Sequence, residues 1–91
     1  MAAQERKVAV LSAALDVASV GANTTAEQTF TIAGLETTDV VFVNKPALSA
    51  GLGVVNARVS AADQIAITFV NATASPIDPA SQTYLIGVIK A

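Results

Sequence analysis

The side chains that could do chemistry in this chain are few, and their types and spacing exclude more than they offer. There is no histidine and no cysteine, so the commonest general base, the commonest metal ligands and any disulfide framework are missing together. The serines, Ser12, Ser19, Ser49, Ser60, Ser75 and Ser81, have no imidazole to activate them, and none lies in a G-x-S-x-G turn. Gly51-Leu52-Gly53 lacks the third glycine of a dinucleotide fingerprint and does not open a helix. Asp63 and Asp78 stand where turns are expected, and no third carboxylate sits at the spacing of a calcium loop. A glycosidase needs two carboxylates that meet in space, and nothing here favours any pair. Asn23-Thr24-Thr25 and Asn71-Ala72-Thr73 match the N-glycosylation tripeptide but read more simply as turns of a Thr-rich β chain. The expectation is a protein that is not an enzyme and has no metal or cofactor. Arg58, a charge in mid-strand, is read as part of a solvated strand face, with an interface contact as the functional alternative because Arg is enriched in interfaces.

The elements that must position these residues are organised around Val54 to Val70. Val55, Ala57 and Val59 alternate with Asn56, Arg58 and Ser60, and Ile65, Ile67 and Phe69 alternate with Gln64, Ala66 and Thr68. That is the period of two expected of paired, half-buried strands. To place both apolar rows on one face, Val59 must oppose Ile65, Ala57 must oppose Ile67 and Val55 must oppose Phe69, since a one-residue slip would turn one row to solvent. Ala61 to Asp63 is then the loop, with Asp63 in the left-handed region, which Asp tolerates better than most residues.

Residues 1–7 are polar and without apolar period, and are expected to form an N-terminal arm ahead of one β domain spanning 8–91. Arg6 and Lys7 followed by VAVLSAAL imitate a secretory signal, but Glu5 precedes the run and Asp16 closes it early, so a first strand through Val8, Val10 and Ser12 is preferred, with an Ala-rich helix bearing Leu11 and Leu15 four apart as the alternative. The run is too short to span a bilayer. A second strand is expected at Leu15 to Val20, and a third at Glu27 to Ala33 with Phe30 and Ile32 inward. Val40 to Val43 reads as a short strand buried on both faces. Ala47 to Gly53 is a loop whose Leu48 and Leu52 have no periodic partner. Asn71 to Ser81 is a long turn region with Pro76 and Pro79, and Thr83 to Lys90 is the last strand. Short strands separated by turn signals, with no convincing helix, indicate an all-β fold: a compact antiparallel β-sandwich or a small jelly-roll-like barrel.

Composition narrows the partners. With 53% hydrophobic and 13% charged residues in 91, the chain is globular rather than disordered. A net charge of −2 leaves no electrostatic footprint for nucleic acid or anionic membrane. A core of Val, Ile and Ala contributes limited burial, which makes self-association a plausible source of added stability.

From Asp39 to Tyr84, about half of the chain, the pieces VNKPAL, AGLG and NARVSAAD, then ITFVNATA, IDPAS and TY, resemble the head decoration or cement proteins of tailed phages. The resemblance implies a β-rich structural protein of the virion, bound to the outer surface of the assembled capsid and stabilising it. It also implies the major capsid protein as partner and association as a homotrimer. Under that reading the candidate capsid or subunit contacts are Arg6 and Lys7 in the arm, Lys45, Pro46, Leu48 and Leu52 in the loop, and Arg58. A β-sandwich binding module for carbohydrate or a host surface is the second reading. Such modules present aromatic platforms, and the aromatics here are Phe30, Phe42, Phe69 and Tyr84, of which Phe30 and Phe69 fall on expected core faces.

Overall fold

The computed structural model describes residues 7–90. Within them lie six strands: β1 (Val8–Leu15), β2 (Thr24–Thr31), β3 (Val40–Asn44), β4 (Leu52–Ala61), β5 (Gln64–Asn71) and β6 (Gln82–Ile89). They form two three-stranded antiparallel sheets, ordered β1-β6-β3 and β2-β5-β4, packed as a small β-sandwich. Only β4 and β5 are consecutive neighbours in one sheet; every other connection passes from one sheet to the other. Each sheet therefore has the strand that comes last in sequence, β6 or β5, at its centre. Those central strands carry the most deeply buried side chains: Tyr84, Ile86 and Val88 from β6 face Ile65, Ile67 and Phe69 from β5. Alternation puts these residues on one side of each strand, and burying that side removes the largest apolar area from water.

The central hairpin keeps most of its expected register. Val59 pairs with Ile65 and Ala57 with Ile67, and Asp63 has φ 61°. The third pair differs, because Phe69 lies opposite Val54 and the ladder resumes at Asn56↔Thr68. Val55 is the extra residue of a β-bulge and points to solvent at 57% exposure. Two adjacent valines made either one a candidate for the inner row, and the bulge selects Val54. A second irregularity near Ser60 lets Ala61 pair with Gln64, which shortens the loop to Ala62 and Asp63. Asp63 also ties the hairpin tip to the turn after β2. Its Oδ1 accepts from the Gly34 N–H at 2.7 Å, its N–H donates to Leu35 O, and its carbonyl accepts from Ile32 N–H.

Three other expectations are corrected. Leu15 to Val20 is not a second strand: Leu15 closes β1, and the segment beyond it runs irregularly. Its backbone is satisfied instead by the Gln28 side chain, which accepts from Ala18 N–H at 2.8 Å and donates to Ala18 O at 3.0 Å, and by a bridge between Val20 and Ile77. Val17 and Val20 still reach the core, which explains the β-branched composition without a strand. Val40 to Val43 is an edge strand rather than one buried on both faces. Val41 is inside, whereas Val40 and Phe42 are exposed. Leu52 does have a place in the domain: it begins β4 opposite Asn71 and is buried in the core. The strand expected at Glu27 to Ala33 begins earlier, at Thr24, with its facing as expected: Ile32 is buried and Phe30 packs against the core.

Candidate interaction surfaces

The sandwich has two outer faces, and the sequence builds them differently. Outside β2-β5-β4, successive rows read Glu27–Thr68–Asn56, Thr29–Ala66–Arg58 and Thr31–Gln64–Ala61. Arg58 reaches across the central strand to Glu27 in a two-pronged contact, Nε to Oε2 at 3.0 Å and Nη2 to Oε1 at 2.9 Å. Beneath that reach lies Ala66, which has no exposed surface. The guanidinium hydrogen bond holds the Glu27 carboxyl below its ordinary pKa, and the same bond raises that of Arg58. Arg58 thus lies on an exposed polar face, paired with a residue 31 positions away in sequence.

Outside β1-β6-β3 the rows read Val8–Ile89–Val40, Val10–Gly87–Phe42 and Ser12–Leu85–Asn44. No charged residue lies in these rows. Val10 is 69% exposed and Phe42 55%, and Val8, Val40 and Leu85 are exposed with them. At the centre, ring atoms of Phe42 stand where a Cβ of residue 87 would be. Glycine on the middle strand therefore lets the edge-strand aromatic lie flat across the sheet. An apolar side chain exposed singly is ordinary, whereas here the exposed apolar residues lie next to one another on one sheet face.

A third feature is the β3–β4 loop. Lys45 folds back along it, donating from Nζ to Ala47 O and to Ser49 Oγ, and Ala47 N–H donates to Gln82 Oε1 at 2.9 Å. Leu52 N–H donates to Ser49 O. Gly51 takes φ 85°, and the Thr73 methyl occupies the place of its Cβ, so only glycine fits. Held in this way, the loop leaves Leu48 87% exposed beside an open cavity of about 240 Å³ whose walls include Val43, Val54 and Lys45. Pro46 is also exposed.

Of the candidate contacts, the structure brings Lys45, Pro46 and Leu48 together, moves Leu52 into the core and places Arg58 on the polar face. Arg6 and the rest of 1–6 lie outside the described residues. Lys7 is exposed, and its carbonyl accepts from Lys90 N–H, so the β1–β6 ladder reaches back to it. Sequence reasoning missed the apolar face altogether. The available signal was that VAVLSAAL and YLIGVI are apolar at nearly every position, too much for a strand buried on one side.

The buried polar groups serve the fold. Asn71 has no exposure and ends β5. Its Nδ2 donates to Val20 O and Ser75 O, and its Oδ1 accepts from Thr73 N–H, which makes this tripeptide a buried turn rather than a surface acceptor. Asp39 Oδ2 accepts from Lys90 Nζ at 2.6 Å and from Glu36 N–H at 3.0 Å, and the bond to Asp39 raises the Lys90 pKa. The Tyr84 hydroxyl is buried without a hydrogen bond of normal geometry, and burial pushes its pKa up. Among the described residues, no three of His, Cys, Asp and Glu gather as a metal site.

Fold and surfaces together define a six-stranded β-sandwich with one polar face, one apolar face and a braced apolar loop. No protein-family model, curated protein or solved structure matches the chain.

Proposed function

We propose that this protein is a structural virion component, a decoration or cement protein that binds the outside of a phage head and stabilises it. The observation that carries the reading is the braced Leu48 loop. A large apolar side chain held out on a loop fixed by Lys45, Gln82 and Gly51 loses little conformational freedom on binding and can fill a pocket on a shell subunit. The resemblance of Asp39 to Tyr84 to decoration proteins names that partner as the major capsid protein. In this reading the polar residues 1–7, which carry no apolar period, are a second contact with the shell.

Carbohydrate binding has one observation in its favour, the exposed ring of Phe42. Its row neighbours are Val10 and Gly87, which lack the hydrogen-bonding groups that sugar hydroxyls require, so shell binding is the better reading.

Leu48→Asp and, separately, removal of residues 1–6 should leave the β fold intact by circular dichroism while weakening attachment to undecorated particles. A ligand that binds only the assembled shell stabilises it by mass action, so particles without the protein should release their genome at lower temperature. Equal heat resistance with and without the protein would refute the reinforcing role.

A further inference from the structure

We infer that the outer face of β1-β6-β3 is an isologous interface on which a second copy of this chain stacks face to face. The inference rests on how the face is arranged about its central strand. Taken row by row, the residue on β1 matches in chemical class the residue on β3: Val8 with Val40, Val10 with Phe42, Ser12 with Asn44, around Ile89, Gly87 and Leu85 of β6. A two-fold axis parallel to β6 lays β1 of one copy over β3 of the other, because an isologous contact pairs residue i with j and j with i. Under that operation every apolar residue meets an apolar one, and Ser12 meets Asn44, which can hydrogen-bond. At the centre each Phe42 ring, lying over its own Gly87, meets the Phe42 ring of the other copy across the axis, with the smaller Val10 beside it.

Charge and size agree with a second copy. No charged group lies in the three rows, so two chains of net charge −2 bring no like charges into contact there. Strands about 4.8 Å apart, rising about 3.3 Å per residue, give the three rows, which span the five residues of β3, a footprint of roughly 14 by 17 Å. With side-chain relief this is about 350 Å² per copy, or about 700 Å² in all, the size of a weak, transient contact rather than of a standard interface. Sheets stacked in this way sit about 10 Å apart with strands crossing at about 30°. An interface of that size makes a reversible pair that forms at high protein concentration.

The test is sedimentation velocity of the full chain from about 10 μM to 1 mM, with Val10→Glu and Phe42→Lys alone and mixed. Both side chains are more than half exposed, and folding is checked by circular dichroism. The native chain should shift from one copy to two as concentration rises. Each variant alone should weaken pairing at least about tenfold, since burying one unpaired charge costs more than 1.4 kcal/mol. The equimolar mixture should recover a one-to-one pair, because the carboxylate introduced on β1 of one copy then faces the ammonium introduced on β3 of the other. Should Phe42→Lys not fold, the pair Val8→Glu and Val40→Lys tests the same row matching. A native chain that stays monomeric at about 1 mM, or forms trimers, or variants that pair like the native chain, or a mixture with no recovery, would each overturn the inference.

Discussion

The two outer faces of this sandwich have the same construction, three antiparallel strands with the last in sequence at the centre, yet one is finished for water and the other is not. Outside β2-β5-β4, threonines and the Glu27–Arg58 pair cover most of the sheet; of the central strand's apolar residues there, Ala66 is shielded and Val70 is half-buried between Thr25 and Gly53. Outside β1-β6-β3, valines, Leu85 and Phe42 take the equivalent positions. The difference shows that alternation alone does not assign a strand's solvent side. A strand such as VAVLSAAL offers apolar residues on both sides, and the side that faces the other sheet becomes core, leaving the remainder as an exposed apolar surface.

Ile67 points inward from the central strand with no exposure, so Ile67→Ala should cost about 2–5 kcal/mol in urea unfolding. The bulged Val55 on the neighbouring strand should lose less than about 0.5 kcal/mol on the same change. Comparable costs at the two positions would show that the bulge has been placed wrongly.

A smaller effect sharpens the contrast from the apolar side. Val10→Glu should change unfolding free energy of the isolated chain by less than about 0.5 kcal/mol, while reducing binding of an apolar dye at low protein concentration, where pairing is absent. A large loss of stability would mean that Val10 belongs to the core and that the face is not free.

The smallest effect belongs to the polar face. Glu27 and Arg58 are solvent-exposed, and exposed pairs contribute little and are screened by salt. The Glu27 pKa is lowered in the folded protein, so its contribution is present above the unfolded carboxylate value and is lost as pH falls through the lower folded value. A carboxyl titration by NMR should find the Glu27 midpoint depressed and returned towards the ordinary value in Arg58→Ala. An unchanged midpoint would remove the pair as the cause. Lys90 behaves in the opposite sense: its pKa is raised by Asp39, so its contribution is full below the ordinary lysine value and disappears as pH rises through the folded one.

Local pattern was enough to read the all-β class, the central hairpin with Val59 opposite Ile65 and Ala57 opposite Ile67, and the left-handed turn at Asp63. It also determined the inward side of Phe30 and Ile32. These are local matters: a period of two, a turn residue and a short loop act between positions close in the chain, where few alternatives compete. The packing of the two sheets set Val54 rather than Val55 against Phe69, drew Leu52 into the core and left Val40 to Val43 at an edge. Strand pairing joined Arg58 to Glu27 and set Phe42 across Gly87. Each of these depends on which strands become neighbours, and every connection but one in this sandwich crosses between sheets. Neighbourhood is then set by burying the largest apolar area at once across distant segments, a global balance that no local pattern encodes.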